Sequence, residues 1–494
     1  MTFGFGLYMF LGDEAKPYQR HRITMISKIE SGYEQQLRKF ISEHDIDTVS
    51  IVGTDLHGFA RGKQMTASRF LTCLENPIHL STLFILLDYG NYPINPPAND
   101  DQWWPSWGTG YSDSYAVIDP TTIRAVPWQP RTALIICEFK ATNSAYSLDF
   151  LPRNLVRNLV SRYENLGYTV RMGLEIETTL FRESAMSATK KGFRNLEPLW
   201  RGLQAYLLTS LGKNHKFIGK LISALREFGI CLESWHLEAG PGQLEITLAP
   251  NSPLEIVDHS FLLKHAIKEL AAENELLASF MAQISTDGFS NGCHVNVSVW
   301  QGEKNLFFSN DSLEDSPALR DNFVAGILAT LPDFTLLYAP TPNSFRRLKP
   351  YQWTGTQTAW GQDNKSTAVR VVNESSSSAR IEQRTGGADA NPYLLAAAVL
   401  AAGLYGIENE LEAAPPVIGD AYAKKELASL PQDISAALAL FSNSKPAETY
   451  LGKDFVRFYA HTRTAEADLC HKFTDGFGTK EVSDWELERY FEFV

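Results

Sequence analysis

Apolar and polar positions in this chain follow two periods, one helical and one of two residues. Apolar residues recur at helical spacing over residues 32–44 and 151–166, and residues 391–410 form an Ala/Leu-rich stretch with Pro392 in its first turn, which predicts a helix there. The two-residue period predicts strands at 48–52, 59–63, 115–118, 133–139 and 170–181, the first two joined by a turn at Leu56-His57-Gly58. From about residue 149 strand and helix patterns alternate to the C-terminus, and Ser375-Ser376-Ser377-Ser378 reads as a turn. The pattern predicts an α+β protein in three parts: an N-terminal arm over 1–20, a small domain over 21–140 and a large one over 141–494.

Length agrees with that division, because 494 residues exceed what one simple core holds. Hydrophobic residues make up 44% and charged residues 21%, as in a folded globular chain, and no apolar run reaches the length of a membrane span. The apolar stretch 5–11 is too short for a signal peptide, so a cytoplasmic protein is expected. A formal charge of −12 argues against nucleic acid or an anionic membrane as main partner, since either needs a basic face. It leaves room for ATP in a small basic pocket. Five cysteines without CxxC spacing read as reduced, mostly buried small hydrophobes.

Residues 88–114 are rich in Pro, Gly and Asn yet carry Tyr89, Tyr92, Trp103, Trp104, Trp107 and Tyr111. Such aromatic density argues against disorder. Two readings stand: a loop pinned on its own aromatic cluster or a neighbouring subunit, and a wall of a substrate pocket.

Candidate chemistry lies on the strand faces. Glu175 and Glu177 share a face, and two carboxylates that close repel unless a cation sits between them. In the segment from His236 to Glu245 the Gly240-Pro241-Gly242 turn brings Glu238 and Glu245 toward one point. His294, Asn296 and Ser298 stand opposite Cys293, Val295 and Val297, so one face packs and the other lines a site. Arg380, Glu382 and Arg384 project from one side, a carboxylate between two guanidiniums. Taken singly, each has a structural reading as a solvated face, a satisfied histidine or a salt-bridge ladder. Together, five glutamates and one histidine suit two hard divalent ions, Mg²⁺ or Mn²⁺, better than zinc.

These motifs, in this order from about Asp55 to Asp484-Trp485-Glu486-Leu487-Glu488-Arg489-Tyr490, resemble the glutamine synthetase family. The resemblance implies a small β-grasp-like domain, a large catalytic domain with a curved antiparallel sheet flanked by helices, and an active site shared between neighbours in stacked hexameric rings, a dodecamer. It implies ATP and two or more divalent ions, and an activity in which ATP phosphorylates the γ-carboxylate of L-glutamate before an amine displaces phosphate. By the same resemblance Glu177, Glu238 and Glu245 match ligands of the metal near the substrate carboxylate, and Glu175, His294 and Glu382 those of the metal on the ATP phosphates. Arg370 and Arg380 match phosphate-contacting arginines, Asn296 and Ser298 continue the nucleotide-facing strand, and Arg347 and Arg384 match the glutamate grips near Gly292 and His294. Arg370, Glu382 and Arg384 form the expected catalytic set.

Departures from the family pattern bear on the amine. Ammonia-using members carry a Gly-Tyr-Glu segment after the Arg-Leu element, whereas Pro350-Tyr351-Gln352-Trp353-Thr354 puts no Glu there. The Asp-Gly-Ser-Ser motif is missing, with Asp88 as a stand-in, and Ser290 replaces a glycine of the glutamate loop. Trp360-Gly361-Gln362-Asp363-Asn364-Lys365 looks like the branch that joins glutamate to larger amines, with Lys365 at a usual Arg position. An apolar amine, aromatic such as aniline or short alkyl, is therefore expected against Trp103, Trp104, Trp107, Tyr111 and Trp353, as an entry step to amine degradation. The alternatives are a glutamine synthetase using ammonia and a catalytically inactive structural relative.

Overall fold

Thr48–Thr54 (β1) and Ala60–Thr66 (β2) form a hairpin, and Thr132–Ala141 (β6) lies parallel to β1 on its other side. Ile78–Ser81 (β3), Asp113–Ile118 (β4) and Arg124–Ala125 (β5) complete a six-stranded sheet of order β2-β1-β6-β4-β3, with β5 also on β6. The helix Ser31–Glu43 precedes it. The computed structural model describes residues 31–96, 105–142, 147–309, 317–474 and 481–494, so the expected arm, Trp103 and Trp104 lie outside the described residues.

A second sheet of nine strands carries the motifs. Its order is β13-β14-β15-β11-β7-β9-β8, built from Thr169–Phe181 (β7), Leu232–Leu237 (β8), Gln243–Leu248 (β9), Cys293–Gln301 (β11), Trp360–Gln362 (β13), Val369–Val372 (β14) and Arg380–Gln383 (β15). Leu277–Ser279 (β10) pairs with β7 and Lys304–Asn305 (β12) with β11. Pairing is antiparallel except for β13 and β14, which run parallel where an all-antiparallel sheet was expected. The intervening loop doubles back along β13, held by Asn364 Nδ2 donating to the carbonyls of Val417 (3.1 Å) and Gly419 (2.8 Å).

Strand alternation decides which face becomes the core. Val170, Met172, Leu174, Ile176 and Leu180 of β7 and Val295, Val297 and Val299 of β11 are buried in one cluster with the helices Pro152–Asn165, Pro253–Glu273 and Pro392–Glu408. That last helix is buried along almost its whole length and crosses Ala318–Tyr338 closely: a Cβ on Gly406 would fall 1.9 Å from the Asn322 carbonyl oxygen, and one on Gly326 2.1 Å from that of Ala402. Only glycine permits this approach.

The two sheets are fastened by buried polar groups. Arg153 donates to Asp119 Oδ2 and Glu138 Oε1 (both 2.7 Å) on the first sheet's side and to Asp258 Oδ1 (2.9 Å) in the helix Pro253–Glu273. Asn391 Nδ2 donates to the Asp55 carbonyl (2.9 Å). The C-terminal helix Asp484–Tyr490 begins with a Ser483–Glu486 capping box, and Glu486 accepts from Asn343 (3.0 Å) and Arg346 (2.6 Å), which braces the short helix carrying Arg347. No described helix is long and apolar enough to cross a membrane.

Candidate active site

Cross-strand register assembles the polar face of the second sheet. Opposite one another stand Arg370 and Glu382, Glu382 and Asn296, His294 and Glu175, Glu177 and Glu245, and Glu245 and His236. Residues spread over more than two hundred positions of sequence thus meet as lateral neighbours, because the two-residue period turns all of them to the face the helices leave open.

Glu175, His294 and Glu382 offer ligand atoms within 4.8 Å of one another. His294 Nδ1 lies 3.3 Å from Glu175 Oε2 and 3.4 Å from Glu382 Oε1. Burial alone would raise Glu175, yet its bonds to His294 and Asn296 and the charge of Arg384 hold it down at about 2. This triad is the one expected on the ATP side.

The second group differs from expectation. Glu238 and Glu245 meet across the Gly240-Pro241-Gly242 turn, but the third donor within 4.8 Å of them is His236 rather than Glu177. His236 Nε2 lies 2.9 Å from Glu238 Oε1, and the Tyr206 ring stacks on the imidazole with centroids 4.3 Å apart. Glu177 sits alongside, and its Oε2 accepts from the Gly292 amide (2.6 Å) and Gln243 Nε2 (3.0 Å). Burial and the charges of Glu175, Glu177 and Glu238 push Glu245 up to about 9, and burial raises Glu177 as well. Four carboxylates close enough to act on one another are electrostatically incomplete, and divalent cations with oxygen ligands would complete them. The donor set therefore fits Mg²⁺ or Mn²⁺.

Guanidiniums frame the carboxylates. Glu382, fully buried, accepts from Arg384 Nη1 on one oxygen and from Arg370 Nη1 (2.9 Å) on the other, so the salt-bridge ladder and the metal triad share this carboxylate. Arg347 Nη1 donates to the Thr385 carbonyl (2.7 Å), and the Nε atoms of Arg347 and Arg384 are buried without a partner. A Cβ on Gly292 would fall 2.6 Å from Arg347 Nη2, so any larger residue there would push the guanidinium aside. Arg380 Nε donates to Asn296 Oδ1 (2.9 Å), and Asn296 Nδ2 to Glu175 Oε1 (2.9 Å).

Two clefts open on this array. One, of about 800 Å³, is lined by Glu175, Asn296, Ser298, Trp300 and Arg380 among others. The other, of about 920 Å³, is lined by Tyr351, Trp353, Lys365, Arg370, Ile418 and Tyr422. Trp353 is largely exposed, in left-handed backbone at φ 58°, and its carbonyl accepts from Arg384 Nη2 (2.9 Å). Among the described residues, the expected amine residues are not brought together: Trp107 is 88% exposed and meets Tyr111 edge-on at 5.3 Å, and the Trp353 cleft is lined by residues from 351 to 422. Asp88 spends its oxygens on the amides of Gly90 (2.9 Å) and Tyr92 (2.8 Å) and on Arg489 (2.9 Å). Ser290 offers its carbonyl to Gln243 Nε2 (2.9 Å).

Sequence reasoning missed His236 and Tyr206. The first was legible, since His236 and Glu238 are two residues apart and the period of β8 continues to Glu238. Tyr206 lies in a stretch without periodicity, next to exposed Leu203, Leu207 and Leu208, and carries no such signal.

Comparison with known proteins places the chain in a family. The family model for the glutamine synthetase catalytic domain matches residues 149–490. A glutamate–isopropylamine ligase from Pseudomonas sp is 32% identical over 465 residues, 93% of this chain and 98% of the relative. A type-1 glutamine synthetase 2 from Dictyostelium discoideum is 35% identical over 90% of this chain and 84% of its own, and a γ-glutamylethanolamide synthetase from Streptomyces coelicolor 30% identical over 96% and 99%. Among solved structures, an ADP complex of GmaS superposes with a TM-score of 0.76 over 92% of this chain and 98% of that one, at 22% identity, which shows a shared fold. On the family match and these relatives, the chain belongs to the glutamine synthetase family.

Proposed function

We propose that this protein is an ATP-dependent ligase that joins the γ-carboxylate of L-glutamate to a small amine. The observation that carries it is the pair of donor groups, Glu175/His294/Glu382 and Glu238/Glu245 with His236 and Glu177, framed by Arg347, Arg370, Arg380 and Arg384. Glu175, His294 and Glu382 would hold the Mg²⁺ or Mn²⁺ ion that serves the ATP phosphates, and Glu238 and Glu245, with His236 or the neighbouring Glu177 as third donor, would hold one near the glutamate carboxylate. These ions would supply positive charge against the phosphoryl oxygens.

Arg347, whose buried Nε lacks a partner, grips a glutamate carboxylate beside Gly292. Arg370 and Arg380 take phosphate oxygens, with Asn296 and Ser298 lining the nucleotide cleft. In the first step a γ-carboxylate oxygen attacks the terminal phosphorus of ATP and ADP leaves; in the second the amine nitrogen attacks the acyl carbon, phosphate leaves, and the nitrogen releases its proton. Arg370 and Arg384 stabilise charge on the phosphoryl group as it transfers and departs.

The amine is apolar, short alkyl or aromatic. The segment 350–354 carries Trp353 and no carboxylate, Asp88 has both oxygens engaged, and Tyr206 stacks on His236, with exposed Leu203, Leu207 and Leu208 near it in sequence. Such walls desolvate a neutral amine at little cost and leave ammonium poorly paired. The names of two relatives, acting on isopropylamine and ethanolamine, support a small substituted amine and favour the alkyl class. Trp107 and Tyr111 reach the amine from a neighbouring subunit in a ring. A panel of ammonium, methylamine, isopropylamine, ethanolamine, putrescine and aniline, compared by kcat/KM, tests the reading. An alkyl or aryl amine is expected to lead; ammonium or putrescine leading would overturn the assignment. Trp353→Glu is expected to shift the ratio toward ammonium at least tenfold.

A further inference from the structure

Away from the active site, Cys231, Glu255 and His259 offer ligand atoms within 4.8 Å of one another. Cys231 is the residue before β8, and its backbone is fixed by its carbonyl, which accepts from the Ala249 amide at 2.9 Å. Glu255 and His259 lie one turn apart at the start of the helix Pro253–Glu273, so both side chains leave the same helical face. Of the five cysteines, all free, Cys231 is the exposed one.

His259 supplies an independent observation. It is only 3% exposed, yet its Nδ1 is buried without a hydrogen-bond partner. An orphaned imidazole nitrogen in the interior costs free energy that a ligand would recover. Arg124 lies close enough for its charge to act on Cys231, Glu255 and His259. Its charge disfavours a bare cation unless anionic ligands offset it. A thiolate and a carboxylate bring two negative charges, and Asp258, shared with Arg153, lies behind.

We infer that Cys231, Glu255 and His259 form a second metal site, which takes one Zn²⁺ per chain with a solvent water in the fourth position. Donor chemistry separates it from the active site. One thiolate, one imidazole and one carboxylate suit a tetrahedral, borderline-soft ion, whereas the catalytic glutamates suit Mg²⁺ or Mn²⁺. Binding releases the thiol proton to solvent and ties the start of β8, the strand of His236, to the helix whose Asp258 holds Arg153.

Cobalt reports on such a site directly, because a thiolate bound to Co²⁺ gives a near-ultraviolet charge-transfer band that carboxylate ligands do not. The full-length protein, saturated with Mg²⁺, is titrated with Co²⁺. The expected result is a band that saturates at one Co²⁺ per chain, is bleached by Zn²⁺ and is lost in Cys231→Ser, with amine-ligase activity in Mg²⁺ unchanged. Zn²⁺ is also expected to block iodoacetamide labelling of Cys231 in the parent protein and to protect it less in Glu255→Gln. No band at saturating Co²⁺, a band that survives in Cys231→Ser, or labelling indifferent to Zn²⁺ would overturn the site. Neither the cobalt band nor the labelling depends on the substrate assignment.

Discussion

Glu382 is held at once by Arg384, Arg370 and the His294 side of the metal triad, so its charge serves the fold and the chemistry together. Glu382→Ala leaves Nη1 of both Arg370 and Arg384 without its partner, although Asp363 and the Trp353 carbonyl remain, and is expected to cost about 1–3 kcal/mol of stability as well as activity. Glu382→Gln keeps the volume and is expected to lower kcat by about 100-fold or more while the denaturation midpoint moves less. Coupled ADP-release assays and urea titrations on both variants separate the two roles. Equal activity in Glu382→Gln and parent would remove Glu382 from the metal site. Glu245 gives the pH dependence. Its carboxyl is pushed from 4.5 up to about 9 in the fold, so between those values the native state holds a proton that the unfolded chain has lost. The metal-free protein is therefore expected to lose stability as pH rises through that window. Metal binding must displace the proton, so affinity for Mg²⁺ or Mn²⁺ is expected to rise with pH over the same window. Calorimetry in buffers of different ionisation enthalpy reads the released proton directly.

At the scale of elements, the site is a consequence of strand period and register. The alternation of β7, β11 and β15 was legible because each strand pairs an unbroken apolar set with chemically unusual residues on the other face: Leu174 and Ile176 against Glu175 and Glu177, Val295 and Val297 against His294 and Asn296. The parallel pairing of β13 with β14 was not legible, since strands of three and four residues carry little period and their direction is set by side-chain bonds of the intervening loop. Nor was the division of labour at the second carboxylate group: which third residue turns toward Glu238 and Glu245 depends on Gly292 and Gln243 occupying Glu177. The helix pair behind the sheet offers a test of the frame itself. Gly406→Leu forces a side chain into the Asn322 carbonyl, and about 1–3 kcal/mol of stability is expected to be lost, with activity falling only as folded protein is lost. A variant as stable as the parent would mean that the two helices do not cross as closely as described.

At the scale of the molecule, the expected carboxylate donors lie together within one chain, whereas the described aromatic residues expected to receive the amine do not. Trp107 and Tyr111 stand away from the Trp353 cleft, and Trp107 is largely bare. A ring in which one chain's aromatic loop closes its neighbour's site accounts for both observations, and a dodecamer of two hexameric rings is the assembly expected. Light scattering is expected to return that mass, and Trp107→Ala to raise KM for the amine more than KM for ATP. A monomer with full activity would contradict the shared site. The reaction itself is read by following one incubation of protein, Mg²⁺, ATP, L-glutamate and isopropylamine by mass spectrometry. ADP, phosphate and γ-glutamylisopropylamide are expected in equal amounts, with no product when glutamate or metal is withheld. Folded, metal-loaded protein that forms neither ADP nor a γ-glutamylamide with any amine of the panel would contradict the proposed reaction.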